Sequence, residues 1–347
     1  MSNISFRLCK KIEKEDLLDF IKCHWSQNHV FLNSSKLLDW QHLNEEKKYN
    51  FWIAIEEKSK KILGILGFIP TYHFSQKLIN QKTFWLAIWK VDEKLAPPGL
   101  GVMLLKTLVK HLKADVIIGS GISDISKRFY KLLKYETGSL SHFFLVNPKK
   151  NKFKILKKPK NFISNIQNKE EYKLIKIDKN NLFEKCTKNE ANIFVSTPKK
   201  NTEFIFNRYL NHPFYKYKIF GFSSGKEVSS LVVLREVFAN NSKVLRLIDF
   251  QGNESELAFI IPNFVNMLVR EDYEYLDFIQ TGISKDFLKD IGFEDLSEHN
   301  EVVLPNYFEP FTQENTIIDF CFKNFSDDRK ISIFKGDSDQ DRPNLIP

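Results

Sequence analysis

The sequence predicts an α/β protein made of two tandem domains, each a mixed, mostly antiparallel sheet flanked by helices. Three observations point there. The chain has 347 residues, about twice the common size of one domain. Its first 150 residues alternate strand and helix patterns around a glycine turn, and the second half repeats that order. Gly121-Ile122-Ser123 before a helix in the first half is echoed by Gly282-Ile283-Ser284 before a helix in the second, as two copies of one unit would produce.

Ile4 to Lys10 alternates like a strand, and Glu15–Trp25 and Ser35–Asn44 then space apolar residues for helices. Phe51–Glu56, Ile62–Ile69 and Thr83–Val91 are rich in β-branched and aromatic residues. Polar turns separate them, so antiparallel neighbours are expected. Pro97-Pro98-Gly99 stops that pattern, and apolar residues three and four apart begin a helix. A strand (Asp115–Gly119), a helix (Ser126–Tyr135) and a strand (Leu140–Val146) complete the first copy. In the second, Lys216–Ser223, Val228–Phe238 and Val244–Phe250 read as strands. The helix Leu257–Arg270, the strand Tyr275–Ile279 and the short helix Asp286–Ile291 follow. The expected division is a first domain over 1–150, a basic and polar linker over 151–168, and a second domain with a C-terminal tail over 169–347.

With 42% hydrophobic and 27% charged residues the chain can bury two cores. No apolar run approaches the ~20 residues of a membrane span, and the start carries no secretory leader, so a cytoplasmic protein with no membrane insertion is expected. The net charge of +9 comes from 52 basic residues of which eight are Arg. Lysine in that excess lacks the forked geometry of specific base and phosphate readout, which argues against a nucleic-acid partner. Cys9, Cys23, Cys186 and Cys321 lie far apart without zinc spacing, so reduced thiols and no metal are expected.

Gly99-Leu100-Gly101-Val102 puts two glycines at the mouth of a helix directly after a strand, where unpaired amides and the positive helix end suit an anion. A dinucleotide fingerprint fails at Leu104, and no GK[ST] follows for a phosphate loop. The stretch VDEKLAPPGLGVMLLKTLVKHL, with DVIIG and DISKRFYKLLKY after it, resembles the GCN5-related N-acetyltransferase (GNAT) superfamily. That resemblance implies two GNAT-like domains and acyl-CoA as cosubstrate, with no tightly bound cofactor. Its pyrophosphate would lie on the backbone from Pro98 through Gly99, Leu100 and Gly101 to Val102, and a backbone N–H around Ile88 to Val91 would serve the tetrahedral oxyanion. Ala96 stands where the family has a basic residue. Tyr130 would protonate the departing thiolate.

The second copy has Gly252-Asn253-Glu254-Ser255-Glu256 at the matching helix mouth, two acids that would repel pyrophosphate, so it reads as chemically silent. A tandem with one working half is similar to the N-acyltransferases that acylate a dTDP- or UDP-linked amino sugar for O-antigen, capsule or lipopolysaccharide biosynthesis. By the resemblance, His29 and His42 flank the two helices that line the acceptor cleft and are candidate bases there. Phe31, Trp40, Tyr72, Trp85 and Trp89 are aromatic residues suited to stacking on the nucleobase or sugar of the acceptor. Asp337-Ser338-Asp339-Gln340-Asp341 lacks the glycine and terminal Glu of a calcium loop. It is either a solvated tail or a segment folded over the acceptor, with Asp339 on a hydroxyl or ammonium and Arg342 on a phosphate. The alternatives are a degenerate GNAT-like protein that binds without turnover and a transferase using charged tRNA.

Overall fold

A computed structural model describes residues 4–159, 173–223, 225, 227–325 and 330–346. In chain order the first half runs β1 (Ile4–Lys10), α1 (Lys14–His24), α2 (Val30–Asn33), α3 (Ser35–His42), β2 (Lys48–Glu56), β3 (Ile62–Pro70) and β4 (Thr83–Val91). It continues with α4 (Leu100–Leu112), β5 (Val116–Ser120), α5 (Asp124–Leu132), β6 (Glu136–Ser139) and β7 (Ser141–Val146). Then come β8 (Ile175–Ile177), β9 (Tyr217–Phe222), β10 (Ser230–Ala239), β11 (Ser242–Gln251), the helix Leu257–Arg270, β12 (Tyr275–Thr281), β13 (Glu294–Asp295), β14 (Asp319–Asn324) and β15 (Ile333–Phe334). Among the described residues no helix is long and apolar enough to cross a membrane.

Two mixed sheets result. One has the order β1-β2-β3-β4-β5-β14-β6, the other β13-β7-β12-β11-β10-β9-β8 with β15 also on β12. Contacts group Met1–Thr137 with Phe320–Asp328 and Arg342–Pro347 as unit 1, and Gly138–Asp319 with Arg329–Asp341 as unit 2. The boundary expected at residue 150 therefore moves, because each sheet takes a strand from the other half of the sequence. β7 pairs with β12 from Tyr275↔Val146 to Gln280↔Ser141. β14 pairs antiparallel with β5 from Phe320↔Ser120 to Asn324↔Val116.

In unit 1, α4 buries Leu100, Leu104, Leu105 and Leu108 at helical spacing. They pack with Trp52, Leu66, Phe68, Phe84 and Leu86 of the sheet, and with Tyr130 and Cys321. The sheet is antiparallel from β1 to β4, parallel at β4–β5 and antiparallel at β5–β14. Unit 2 repeats this: its helix Leu257–Arg270 buries Leu257, Ile260, Ile261, Phe264 and Leu268 in one core, and its internal parallel pair is β11–β12.

The expected linker is partly a packed segment of unit 2. The backbone amides of Lys154, Ile155 and Leu156 donate to the buried Glu274 carboxylate at 2.7, 3.0 and 2.9 Å. Ile155 and Leu156 are themselves buried beside Phe144, Val146 and Leu304. Residues 160–168 of that linker lie outside the described residues. The tail is buried as well, since its acids have partners. Asp337 meets Lys200 at 2.7 Å, and Asp341 takes Arg235 at 2.7 Å and the Tyr217 hydroxyl at 2.8 Å. A charge can leave water only with that kind of compensation.

Candidate active site

Two irregularities in β4 open unit 1 at one place. On its β3 side, Leu66 faces Trp89 and Phe68 faces Leu86, so β4 carries one extra residue at Ala87-Ile88, a bulge that turns the backbone out of the ladder. On its β5 side the parallel ladder ends at Leu86↔Gly119. Past that point β4 and β5 part, and the last residues of β4 run on to Val91.

The chain then crosses a rigid turn. Asp92 accepts from the amides of Lys94 (2.9 Å) and Leu95 (3.1 Å), and Ala96 N–H bonds back to the Asp92 carbonyl. Burial opposes its charge, but those amides and nearby His24 hold its carboxyl below the ordinary range. Gly99 is the N-cap of α4 at φ +84°, in the left-handed region that glycine enters without strain.

Of the amides expected to meet an anion, Pro98 has none, since proline lacks an N–H, and Leu100 donates to Pro97 O at 3.2 Å. Among the described residues no acceptor pairs with the N–H groups of Gly101 and Val102. They sit at the positive end of a 13-residue helix with no acid in its first turn.

These features border one cavity of about 440 Å³, lined by Trp89 to Glu93, Ala96 to Val102, and Ile125, Ser126 and Phe129 of α5. Val91, Pro98, Gly99, Leu100, Gly101 and Val102, all expected at a cosubstrate site, are thus brought together. Ile125 is 70% exposed and Phe129 43% exposed, an apolar wall one helical turn apart of the kind that small-molecule sites present. The sequence reading missed this wall, although the spacing of Ile125 and Phe129 beside Tyr130 carried it.

Tyr130 lies elsewhere. It faces the core, 2% exposed, with its ring 5.4 Å from Trp89 and 5.1 Å from Tyr135. Burial, and then the Cys321 thiol close to its hydroxyl, raise its pKa well above that of the usual phenol. The position expected to face a thiolate is therefore part of the wall behind Trp89, because α5 turns Ile125, Ser126 and Phe129 toward the cavity instead.

The acceptor residues do not converge. His42 is fully buried, with Nδ1 3.3 Å from Phe68 O and Nε2 3.1 Å from the Gln41 amide. Burial, then His73, push its pKa well down. His29 caps α2 by accepting from Phe31 N–H at 3.4 Å, and its Nε2 is 3.3 Å from Arg342 Nη2. Burial and Arg342 lower it to about 3, far too weak for a base near neutral pH. Phe31 and Trp85 are core residues. Trp40 packs at a tilt against Phe74 at 5.2 Å and Tyr72 meets Phe84 edge-on at 6.1 Å, both half-buried. Asp339 accepts from Ser338 Oγ (3.4 Å) and Gln340 Nε2 (3.3 Å) in unit 2. Arg342 lies over Phe31 in unit 1. Among the described residues no group of three or more His, Cys, Asp or Glu could hold a metal ion.

Unit 2 has the same device with a different filling. β11 carries an extra residue at Ile248, and its ladder with β12 ends at Leu247↔Phe278. There the tail enters: Ile333 and Phe334 pair with Thr281 and Gln280, and Gly336 N–H donates to Ile248 O at 2.8 Å. A cavity of about 750 Å³ at the nearby helix mouth is lined by Glu254 and Glu256.

No family model matches the sequence, and no curated protein matches it. Solved structures do. A GCN5-related N-acetyltransferase from Anabaena variabilis ATCC 29413 aligns with a TM-score of 0.56 at 10% identity, over 93% of this chain and 73% of its own. The chain has the GNAT fold. A GCN5-related N-acetyltransferase from Kribbella flavida gives 0.53 at 8% identity, over 93% and 71%. A protein from Enterococcus faecalis V583 described as a probable N-acyltransferase gives 0.53 at 8%, over 92% and 72%. In GNAT terms, the bulge and parting of β4 and β5 in unit 1 are left open beside a cavity, whereas their counterparts in unit 2 are met by the chain's own tail.

Proposed function

We propose that unit 1 binds an acyl-CoA in the β4–α4–α5 cavity and that the protein transfers the acyl group to an amine. One observation carries this reading: the two unpaired amides of Gly101 and Val102 and the end of β4 just past its bulge and its last pairing with β5 border a single cavity. A phosphate at the helix mouth would satisfy the amides. The pantetheine arm would lie along Phe129 and Ile125, bringing the thioester toward Ile88 and Trp89.

There the amine nitrogen attacks the carbonyl carbon. Backbone N–H groups released by the bulge would stabilise the oxyanion. That attack forms the C–N bond, and collapse of the tetrahedral intermediate re-forms C=O and breaks C–S, while the nitrogen's proton goes to solvent and the thiolate takes one back. No cavity side chain is needed as a base if the amine arrives neutral.

For the acceptor we propose a nucleotide-linked amino sugar of a surface-polysaccharide pathway. Its support is the sequence resemblance, with Trp40, Tyr72 and Arg342 offering partly exposed surface in unit 1. The test is thiol release from acetyl-CoA and hydroxybutyryl-CoA with a panel of dTDP- and UDP-amino sugars. Release with one of them is expected. Release with other amines alone would discard the sugar. The burial of Tyr130, outside the cavity lining, favours a second reading, a GNAT-fold protein that binds CoA without turnover; saturable binding with no thiol release would select it.

A further inference from the structure

The lysine-rich run after β7 forms a fixed wall in unit 2. Its backbone is held by the Glu274 carboxylate, which accepts from the amides of Lys154, Ile155 and Leu156. Phe153 and Ile155 pack into the core, so Lys150, Lys152 and Lys154, at the alternate positions, take the other side. All three line a separate cavity of about 640 Å³, whose opposite wall is the β10–β11 hairpin. The hairpin tip and the run brace each other: the Asn240 side-chain amide donates to Lys154 O at 3.3 Å, and Lys154 Nζ donates to Asn241 O at 3.3 Å. Phe238 and Lys243 are paired across the hairpin and so share one face of it, and both line the cavity. Among the described residues the lining holds four lysines and one acid, Asp272, which meets Lys150 at 2.7 Å. Lys243 meets Glu236 at 3.3 Å. Lys152 is exposed and has no partner among the described residues, and the Phe238 ring is 66% exposed.

We propose that this cavity binds a nucleoside diphosphate, with the diphosphate among Lys150, Lys152, Lys154 and Lys243 and the base on the Phe238 ring. Ammonium groups gathered round one hollow repel each other until an anion enters. Lysine supplies that charge as a point, without the fixed fork of arginine, which suits the flexible diphosphate. An aromatic ring left in water at the edge of such a site gains by stacking on a base. The assignment goes beyond the acyl-CoA reading of unit 1 and does not depend on it.

The experiment is calorimetric titration of the full chain with UDP, ADP and inorganic pyrophosphate, for the wild type, Lys152→Glu, Phe238→Ala and Gly101→Glu. Both substitutions in unit 2 fall on exposed side chains, and circular dichroism reports folding. The wild type should bind UDP or ADP saturably and more tightly than pyrophosphate. Lys152→Glu should weaken all three by at least about tenfold, since it removes an attraction and adds a repulsion. Phe238→Ala should weaken the nucleotides by at least about fivefold and leave pyrophosphate within about twofold. Gly101→Glu, at the helix mouth of unit 1, should leave these affinities as they are. Absence of saturable binding by the wild type overturns the site. Nucleotide binding that survives Lys152→Glu overturns it too, as does binding that only Gly101→Glu weakens, which belongs to unit 1. Pyrophosphate bound as tightly as UDP and ADP, with no effect of Phe238→Ala, overturns the nucleotide.

Discussion

Gly101→Glu separates folding from ligand binding at the turn. Gly101 has no left-handed φ, and a Cβ there would make ordinary contacts of 3.6 to 3.8 Å with the Trp89 indole. A side chain is thus tolerated by the backbone. Replacing glycine inside a helix gains up to ~1 kcal/mol, and an acid in the first turn gains a further ~0.3 to 1 kcal/mol from the helix dipole. The variant should fold at least as well as the wild type. Its carboxylate, however, stands at the mouth where a pyrophosphate is proposed to bind. At about 5 Å and an effective dielectric constant near 20, one pair of like charges repels by roughly 3 kcal/mol. Salt and water at an open mouth reduce that to roughly half, about tenfold in affinity. Titration of CoA into both proteins should therefore show Kd rising at least about tenfold with an unchanged or higher Tm, while Gly101→Ala keeps CoA binding within a few-fold. Equal Kd values for the glutamate variant and the wild type would refute the placement of the anion.

Tyr130→Phe keeps the buried ring and should change stability by no more than about 1 kcal/mol, and leave thiol release within about threefold; a loss of tenfold or more at unchanged KM would return the hydroxyl to the chemistry. Glu274→Gln sets an amide group against three backbone donors that now share one carboxylate. Limited trypsin digestion should then cut faster around Lys152 to Lys158, and an unchanged rate would show the segment held by other contacts. Asp341→Ala leaves the buried Arg235 without its bidentate partner and should destabilise by about 3 to 5 kcal/mol, read by chemical denaturation. Burial opposes ionisation of Asp277 and Asp341, but Arg246 and Arg235 respectively overcome it and hold both below the ordinary carboxyl range. Because the folded pKa values lie below the unfolded ones, this stabilisation is complete above about pH 4 and is lost as the pH falls through the folded values. Stability that instead rose on acidification from pH 5 to 3 would contradict the sign.

Periodicity revealed most of unit 1, because α4 must place Leu100, Leu104, Leu105 and Leu108 on one face and β4 must end before two prolines and a glycine. The glycine turn was legible for the same reason: its chemistry is local. The apolar wall was legible only in retrospect, since exposed Ile125 and Phe129 look like core residues on paper. His29, Phe31, His42 and Trp85 went the other way. Histidine and tryptophan have the right chemistry for a site, and only tertiary packing shows the imidazole of His42 bonded to Phe68 O inside a core. The tail misled through charge, because the partners that let Asp337 and Asp341 be buried, Lys200 and Arg235, lie more than 100 residues away.

The exchange of β7 and β14 sets an order of events for the nascent chain. β5 emerges from the ribosome with β4 on one side and nothing on the other, and its partner β14 is synthesised roughly 200 residues later. At about 5 to 20 residues per second that is an interval on the order of 10 to 40 s, during which a strand that is buried along its length in the finished fold has an open edge, the situation that invites pairing with a stray chain. β7 waits similarly for β12. Neither sheet is finished until most of the message has been read. A premature stop after the first half of the chain but before residue 324 therefore yields two incomplete sheets where a simple tandem would yield one intact domain.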